Sequence, residues 1–188
     1  DVIFTSLPNG ESQKIANKLL KKNIMIDLSA DFRLKNPKIY NKYYGIKHIS
    51  LNNLKKSIYG LPEINRRNLS KAKVIACPGC YPTSIILPLF PLIKKNLIDF
   101  KNIVIDSKSG FSGAGRGVHK KFKNKNLYGS TSAYGIASHR HNAEIQQELS
   151  YVKKNIEFTF TPHILPMFRG ILSTIYLNYK SKSNLNKI

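Results

Sequence analysis

DVIFTSLPNGESQKIANKLLKKNIMIDLSADF, from Asp1 to Phe32, decides the fold. Residues 1–7 read as a short apolar strand that ends at Pro8-Asn9-Gly10, a turn signal. Glu11 to Lys22 places Ile15, Leu19 and Leu20 at helical spacing. Ile24 to Leu28 is a second apolar strand, closed by the polar residues Ser29 and Asp31. Strand, helix and strand within about thirty residues form the βαβ unit of a parallel sheet, which binds ligands at the carboxyl ends of its strands.

Beyond this unit, residues 36–70 are rich in Asn, Lys and Tyr with little periodicity, and read as a long structured connection around Tyr59-Gly60-Leu61-Pro62-Glu63. Val74-Ile75-Ala76 is a strand leading into Cys77-Pro78-Gly79-Cys80-Tyr81-Pro82-Thr83, and Ser84 to Ile93 reads as a buried helix kinked or started at Pro88. Ile103 to Ser107 is a strand running into Ser109–Gly117, a loop with four glycines in eight residues. His139 to Leu149 is amphipathic through Ile145 and Leu149. Glu157 to Thr161 and Ile171 to Tyr179 alternate like antiparallel strands around a Pro-rich turn. The first part is therefore α/β with a parallel sheet, and the second α+β with a mixed or antiparallel sheet.

Composition narrows the function classes. The chain has 188 residues, 41% of them hydrophobic, and no run near the ~18 apolar residues of a membrane span. Its start lacks the basic lead and cleavage site of a signal peptide, and it opens without Met in an apolar run, which suggests a piece of a longer protein. A net charge of +21 raises nucleic-acid binding. Only six of the 31 basic residues are Arg, however, and the lysines are scattered in pairs rather than gathered in a stripe. No nucleic-acid partner is expected. An RNA-binding module would need a contiguous cationic face.

Cys80 is the first candidate for chemistry. It follows a strand and a Pro-Gly turn where a buried helix begins, and helix N-termini stabilise thiolates. Cys77-x-x-Cys80 is also the layout of a dithiol redox motif, and with His139 and His141 it would fill a zinc inventory. Neither alternative has further support in the chain, and no metal is expected. His139-Arg140-His141 with Glu144 can supply a general base and the group that orients it. Ser109–Gly117 can bring backbone N–H groups to an anion, with Arg116 adding charge. His163 and Arg169 flank the Pro-rich turn between the last strands.

Six ordered segments carry a resemblance over nearly the whole chain. They are Ile26–Leu34, Tyr59–Glu63, Ala76–Thr83, Ser109–Arg116, His139–Ile145 and Phe160–Leu172. Together they resemble the N-acetyl-gamma-glutamyl-phosphate reductase family, the aspartate-semialdehyde-dehydrogenase-like enzymes of arginine biosynthesis. The resemblance implies residues 1–79 as part of a Rossmann-like NADP-binding domain and 80–188 as a catalytic and dimerisation domain. It further implies a homo-oligomeric cytoplasmic enzyme, with NADP as cofactor and a small acyl phosphate as substrate.

The implied reaction is NADPH-dependent reduction of N-acetyl-glutamyl 5-phosphate to the 5-semialdehyde through a Cys80 thioester. Aminoadipyl and aspartyl phosphate are the neighbouring substrates. Cys80, His139 and His141 are then catalytic, with His139 favoured as the base. Arg116, Arg169 and Glu144 would hold substrate, and Ser109, Gly110, Ser112, Gly113, Ala114 and Gly115 the cofactor. Cys77 stands where the family has Asn, Ala143 where it has Pro, and Asn9 where it often has His. The family opens with a Gly-rich phosphate loop and closes with a segment returning to the nucleotide domain. Neither is found here, so the resemblance implies an internal fragment that grips the cofactor poorly on its own.

Overall fold

The computed structural model describes residues 1–113 and 129–180. They form two compact units, Asp1–Gly79 and the chain from Cys80 onward.

In the first unit, β1 (Val2–Thr5), α1 (Ser12–Leu19) and β2 (Ile24–Asp27) make the expected βαβ unit. β4 (Val74–Ala76) and β3 (Ile58–Tyr59) complete a sheet in the order β1-β2-β4-β3. All pairings are parallel, with Thr5 opposite Asp27, Asp27 opposite Ala76 and Tyr59 opposite Ala76, so the carboxyl ends of the four strands share one edge. The helix follows from its apolar spacing: Ala16 is fully buried, with Leu19 and Leu20 packed against Met25, Phe32, Leu54, Val74 and Ala76.

Residues 36–70 hold more than a connection. α2 (Pro37–Tyr44), α3 (Leu51–Lys56) and α4 (Pro62–Leu69) lie there with β3. The signals were local rather than periodic. Asn36 caps α2 by accepting from the Lys38 amide, Pro37 takes the first turn, and Gly45 ends the helix at φ +68. Helices of eight residues or fewer with one buried side chain each, Tyr40 and Leu54, carry too little apolar repeat to read.

In the second unit, α5 (Cys80–Lys94) starts at the cysteine itself and runs through Pro88 and Pro91. β5 (Ile103–Gly110) is the central strand of a sheet ordered β6-β7-β5-β8. β7 (Phe158–Leu165) pairs with β5 in parallel, and β8 (Ile171–Tyr176) pairs with β5 antiparallel. The two alternating segments are strands, as expected, but they do not pair with each other because β5 separates them. Alternation reports which face a strand buries, not which neighbour it finds. β6 (Ser132–Ala133) edges β7, and α6 (His141–Val152) packs on α5. Ile103, Ile105, Ser107 and Ser109 line the buried face of β5.

Candidate active site

Within the first unit, the loops at the carboxyl edge of the sheet are held by its own carboxylates. Asp27 is fully buried and accepts from the Thr5 and Ser12 hydroxyls at 2.8 Å each and from the Ser29 hydroxyl at 2.7 Å. Asp31, also fully buried, accepts from the Gly10 amide at 2.7 Å, the Gln13 amide at 3.1 Å and the Tyr40 hydroxyl at 2.6 Å. Burial and this bond push the Tyr40 hydroxyl far above its ordinary range. A carboxylate thus fills the N-terminal turn of α1, where an external anion would otherwise bind.

Arg33 donates from Nε to the Cys77 carbonyl at 2.7 Å and from its guanidinium to the Leu28 carbonyl at 2.8 Å, fixing the loop that precedes Cys80. Cys77 itself is half-buried, and desolvation pushes its thiol up despite the Arg33 charge. That is the wrong direction for an attacking thiolate.

In the second unit, Cys80 is the exposed first residue of α5. Tyr81 follows, buried, and its hydroxyl lies 2.9 Å from that of Tyr134 and also bonds to Ser109. Burial is the main force raising both phenols, and Cys80 lies close enough to add to it. Both phenols stay protonated and can donate.

His139 sits in the middle of a ring cluster. Tyr81, Tyr134 and Phe160 approach it edge-on at 5.5, 5.6 and 5.5 Å, and the His141 ring lies 4.8 Å away. Gly135, at φ +57, makes room: a Cβ there would meet His139 Cβ at 3.2 Å and Cδ2 at 3.3 Å. His141 opens α6, and Glu144 is buried in the first turn of that helix.

The structure brings His139 and His141 together around Tyr81, 5.5 and 5.9 Å from its ring, and Cys80 precedes Tyr81 at the start of α5. Arg169 lies on the exposed turn after β7, its guanidinium 5.3 Å over the Phe168 ring. Ala114, Gly115 and Arg116 lie outside the described residues. Gly110, Phe111 and Ser112 do not form an anion cradle: their amides donate to the carbonyls of Gly170, Met167 and Phe168 at 2.9–3.0 Å. Gly110 is required there, since a Cβ would meet Phe168 O and Arg169 N at 2.7 Å. Ser109 is buried and donates to the Gly110 carbonyl at 2.9 Å. Gly113 is exposed at the end of the described segment.

The sequence reading missed Tyr81, Tyr134 and Phe160 as parts of the site. Tyr81 alone carried a signal, as the neighbour of Cys80; Tyr134, just after β6, and Phe160, in β7, arrive through a pairing that no local pattern announces. His163 lies within β7 rather than at a turn, its Nδ1 3.0 Å from Asp106 Oδ1, and Asp106 also pairs with Lys108. Among the described residues, no group of three or more His, Cys, Asp or Glu side chains is placed to hold a metal, so the zinc alternative has no assembled ligand set.

Comparison with known proteins places both units. Residues 1–72 match the family model described as the semialdehyde dehydrogenase NAD binding domain, and residues 80–188 the semialdehyde dehydrogenase dimerisation domain. The chain is 48% identical over 178 residues to an N-acetyl-gamma-glutamyl-phosphate reductase of Desulforamulus reducens, covering 94% of this chain and 51% of the relative. It is 49% identical over 186 residues to the enzyme of that name from Campylobacter jejuni, covering 96% and 53%. The chain spans about half the length of the curated relatives it matches. Among solved structures, aspartate semialdehyde dehydrogenase II from Vibrio cholerae superposes with a TM-score of 0.70 at 13% identity, over 99% of this chain and 58% of that one. Aspartate semialdehyde dehydrogenase with NADP from Candida albicans gives 0.56 at 15%, over 98% and 52%. At these identities the likeness carries the fold.

Proposed function

The chain belongs to the semialdehyde dehydrogenase family, and from that membership and the geometry at Cys80 we propose that the protein reduces N-acetyl-glutamyl 5-phosphate to N-acetyl-glutamate 5-semialdehyde, releasing phosphate. The observation that carries this reading is an exposed cysteine at the first residue of a long helix, followed directly by a tyrosine whose ring packs against two imidazoles. The Cys80 thiolate attacks the acyl carbon, the bond to phosphate breaks, and phosphate leaves with the electron pair to give a thioester. His139 and His141 serve the proton and charge movements of this step, and Arg169 and Arg116 are suited to the substrate's anionic groups.

The reduced cofactor, NADPH, when bound, would supply the hydride that takes the thioester to the aldehyde, leaving as NADP+. The described residues do not cradle its phosphates: Asp31 occupies the N-terminal turn of α1, and the Gly110–Ser112 amides are engaged. Ser109, Gly110, Ser112 and Gly113 would therefore serve only as packing for the uncharged nicotinamide end.

The same reading makes the protein a cytoplasmic homo-oligomer. Among the described residues no helix is long and apolar enough to cross a membrane. The second unit matches a dimerisation domain, and β5 and β8 leave Val104, Leu172 and Tyr176 exposed on one face of their sheet.

The test is mass spectrometry of the protein with N-acetyl-glutamyl, aspartyl and aminoadipyl phosphate, without and then with NADPH. A Cys80 thioester from the first substrate, discharged as aldehyde once NADPH is added, is the expected result. Preference for another acyl chain would move the substrate, and no thioester from any would overturn the reading.

A further inference from the structure

We propose that His139 acts as a fixed hydrogen-bond donor through Nε2–H, presented to the carbonyl oxygen of the acyl group, and not as the base of the pair. This deepens the acyl-transfer reading above and rests on it. The His141 amide donates to His139 Nδ1 at 3.2 Å. An N–H group needs a lone pair, so Nδ1 carries no proton, and the single proton of the neutral imidazole sits on Nε2. A nitrogen that already holds its proton cannot accept another.

The fold holds this tautomer for a structural reason. The His141 amide lies in the first turn of α6, where N–H groups have no acceptor within the helix. The residue in the cap position, Arg140, makes no side-chain capping bond. The His139 ring supplies an acceptor instead, and a proton on Nδ1 would confront that N–H and the positive end of the helix. Turning the ring over is also disfavoured. It would set Cδ2–H against the amide and lose the bond that the His141 N–H now makes. The rings of Tyr81, Tyr134, Phe160 and His141 pack edge-on around it at 4.8–5.6 Å and hold its orientation.

The chemistry suits a donor. As the Cys80 sulfur bonds to the acyl carbon, the carbonyl electron pair moves onto oxygen, and a preorganised N–H stabilises that charge. The carbonyl then reforms as the C–O bond to phosphate breaks. Phosphate leaves with the bonding pair and takes its proton from water, so His139 neither gains nor loses one. Neutral imidazoles are effective electrophiles of this kind at developing oxyanions.

Neutron diffraction from deuterated crystals of the intact protein reads the tautomer directly. Deuterium on His139 Nε2 with none on Nδ1 is expected, and deuterium on Nδ1 overturns the proposal. The second arm is the phosphate burst on acylation of Cys80. His139→Gln places an amide N–H near the Nε2 position and cannot take up a proton, so it should keep the burst rate within about tenfold of the parent. His139→Asn, whose amide falls short, should lose about 10²–10³-fold. Equal losses in the two variants would mean a base or a mere helix cap, and would overturn the donor role. If the parent itself shows no burst, the acyl-phosphate reading fails, while the neutron map still decides the tautomer.

Discussion

Two helix N-termini in this chain face the same electrostatic problem and answer it differently. The turn that opens α1 gives its amides to Asp31, a carboxylate with no exposed surface. α5 opens with Cys80, exposed to solvent. Both ends carry the partial positive charge of a helix N-terminus. In the first unit that charge is neutralised permanently by the protein's own anion, and the result is a rigid loop. In the second it is left facing an ionisable sulfur within reach of solvent, the sulfur that the proposed function makes the nucleophile. The same backbone device is structural where a buried anion completes it and chemical where a nucleophile meets water.

Breaking the chemical end should give the largest effect. Cys80→Ser is expected to lower turnover by at least ~10³-fold, while denaturant unfolding stays within about 0.5 kcal/mol of the parent, as for exposed positions generally. Cys77→Asn should retain activity, since its half-buried thiol is held protonated. Similar losses from both would return the dithiol alternative. His141→Asn should follow, lowering kcat by about 10²–10⁴-fold with cofactor affinity little changed; a loss of only a few-fold would leave the pair without a base.

Breaking the structural end should show in stability. Asp31→Ala strands the Gly10 and Gln13 amides and the Tyr40 hydroxyl in a buried site, and should cost about 3–5 kcal/mol in urea or thermal unfolding. A loss below about 1 kcal/mol would mean that water replaces the carboxylate easily and that the two N-termini are less different than argued. Gly135→Ala is a smaller probe, lying beside His139. Its positive φ alone costs about 1–2 kcal/mol, and the displaced imidazole should lower turnover beyond what the stability loss explains.

The smallest effect is a pH dependence in the first unit. His48 is buried, its Nε2 on the Asp31 carbonyl at 2.8 Å and its Nδ1 accepting from the Ser50 amide at 3.2 Å. Desolvation holds it below its ordinary 6.5, outweighing the Asp31 carbonyl and charge, which favour the cation. As pH falls below 6.5 the unfolded chain binds a proton that the folded chain refuses. This contribution to stability is therefore complete above that pH and declines below it. His48→Gln keeps a donor for the Asp31 carbonyl and should flatten the unfolding free energy between about pH 7 and 5; an unchanged slope would assign it to other groups.

Much of the site was legible before folding. Cys80 could be read from a Pro-Gly turn after a strand, and His139 and His141 from their spacing ahead of Glu144, because strand ends and helix starts are written locally. Ser109–Gly117 read as an anion loop for the same reason, four glycines in a short run, and its first residues, to Gly113, lie within the described structure. The structure engages its amides instead with Met167, Phe168 and Gly170. Glycine runs signal close backbone approach, and only the partner reveals whether that partner is a ligand or another strand.

By itself the sequence determined the βαβ unit and singled out Cys80, His139 and His141 as the candidates that the proposed function uses, since these depend on hydrophobic period and on residue type at chain positions a few apart. Tertiary structure alone decided that β5 stands between β7 and β8, that Asp31 fills α1, and that Tyr134 and Phe160 close around His139. Most of these join residues from distant parts of the chain through hydrogen bonds and ring contacts, and no local preference encodes such pairings.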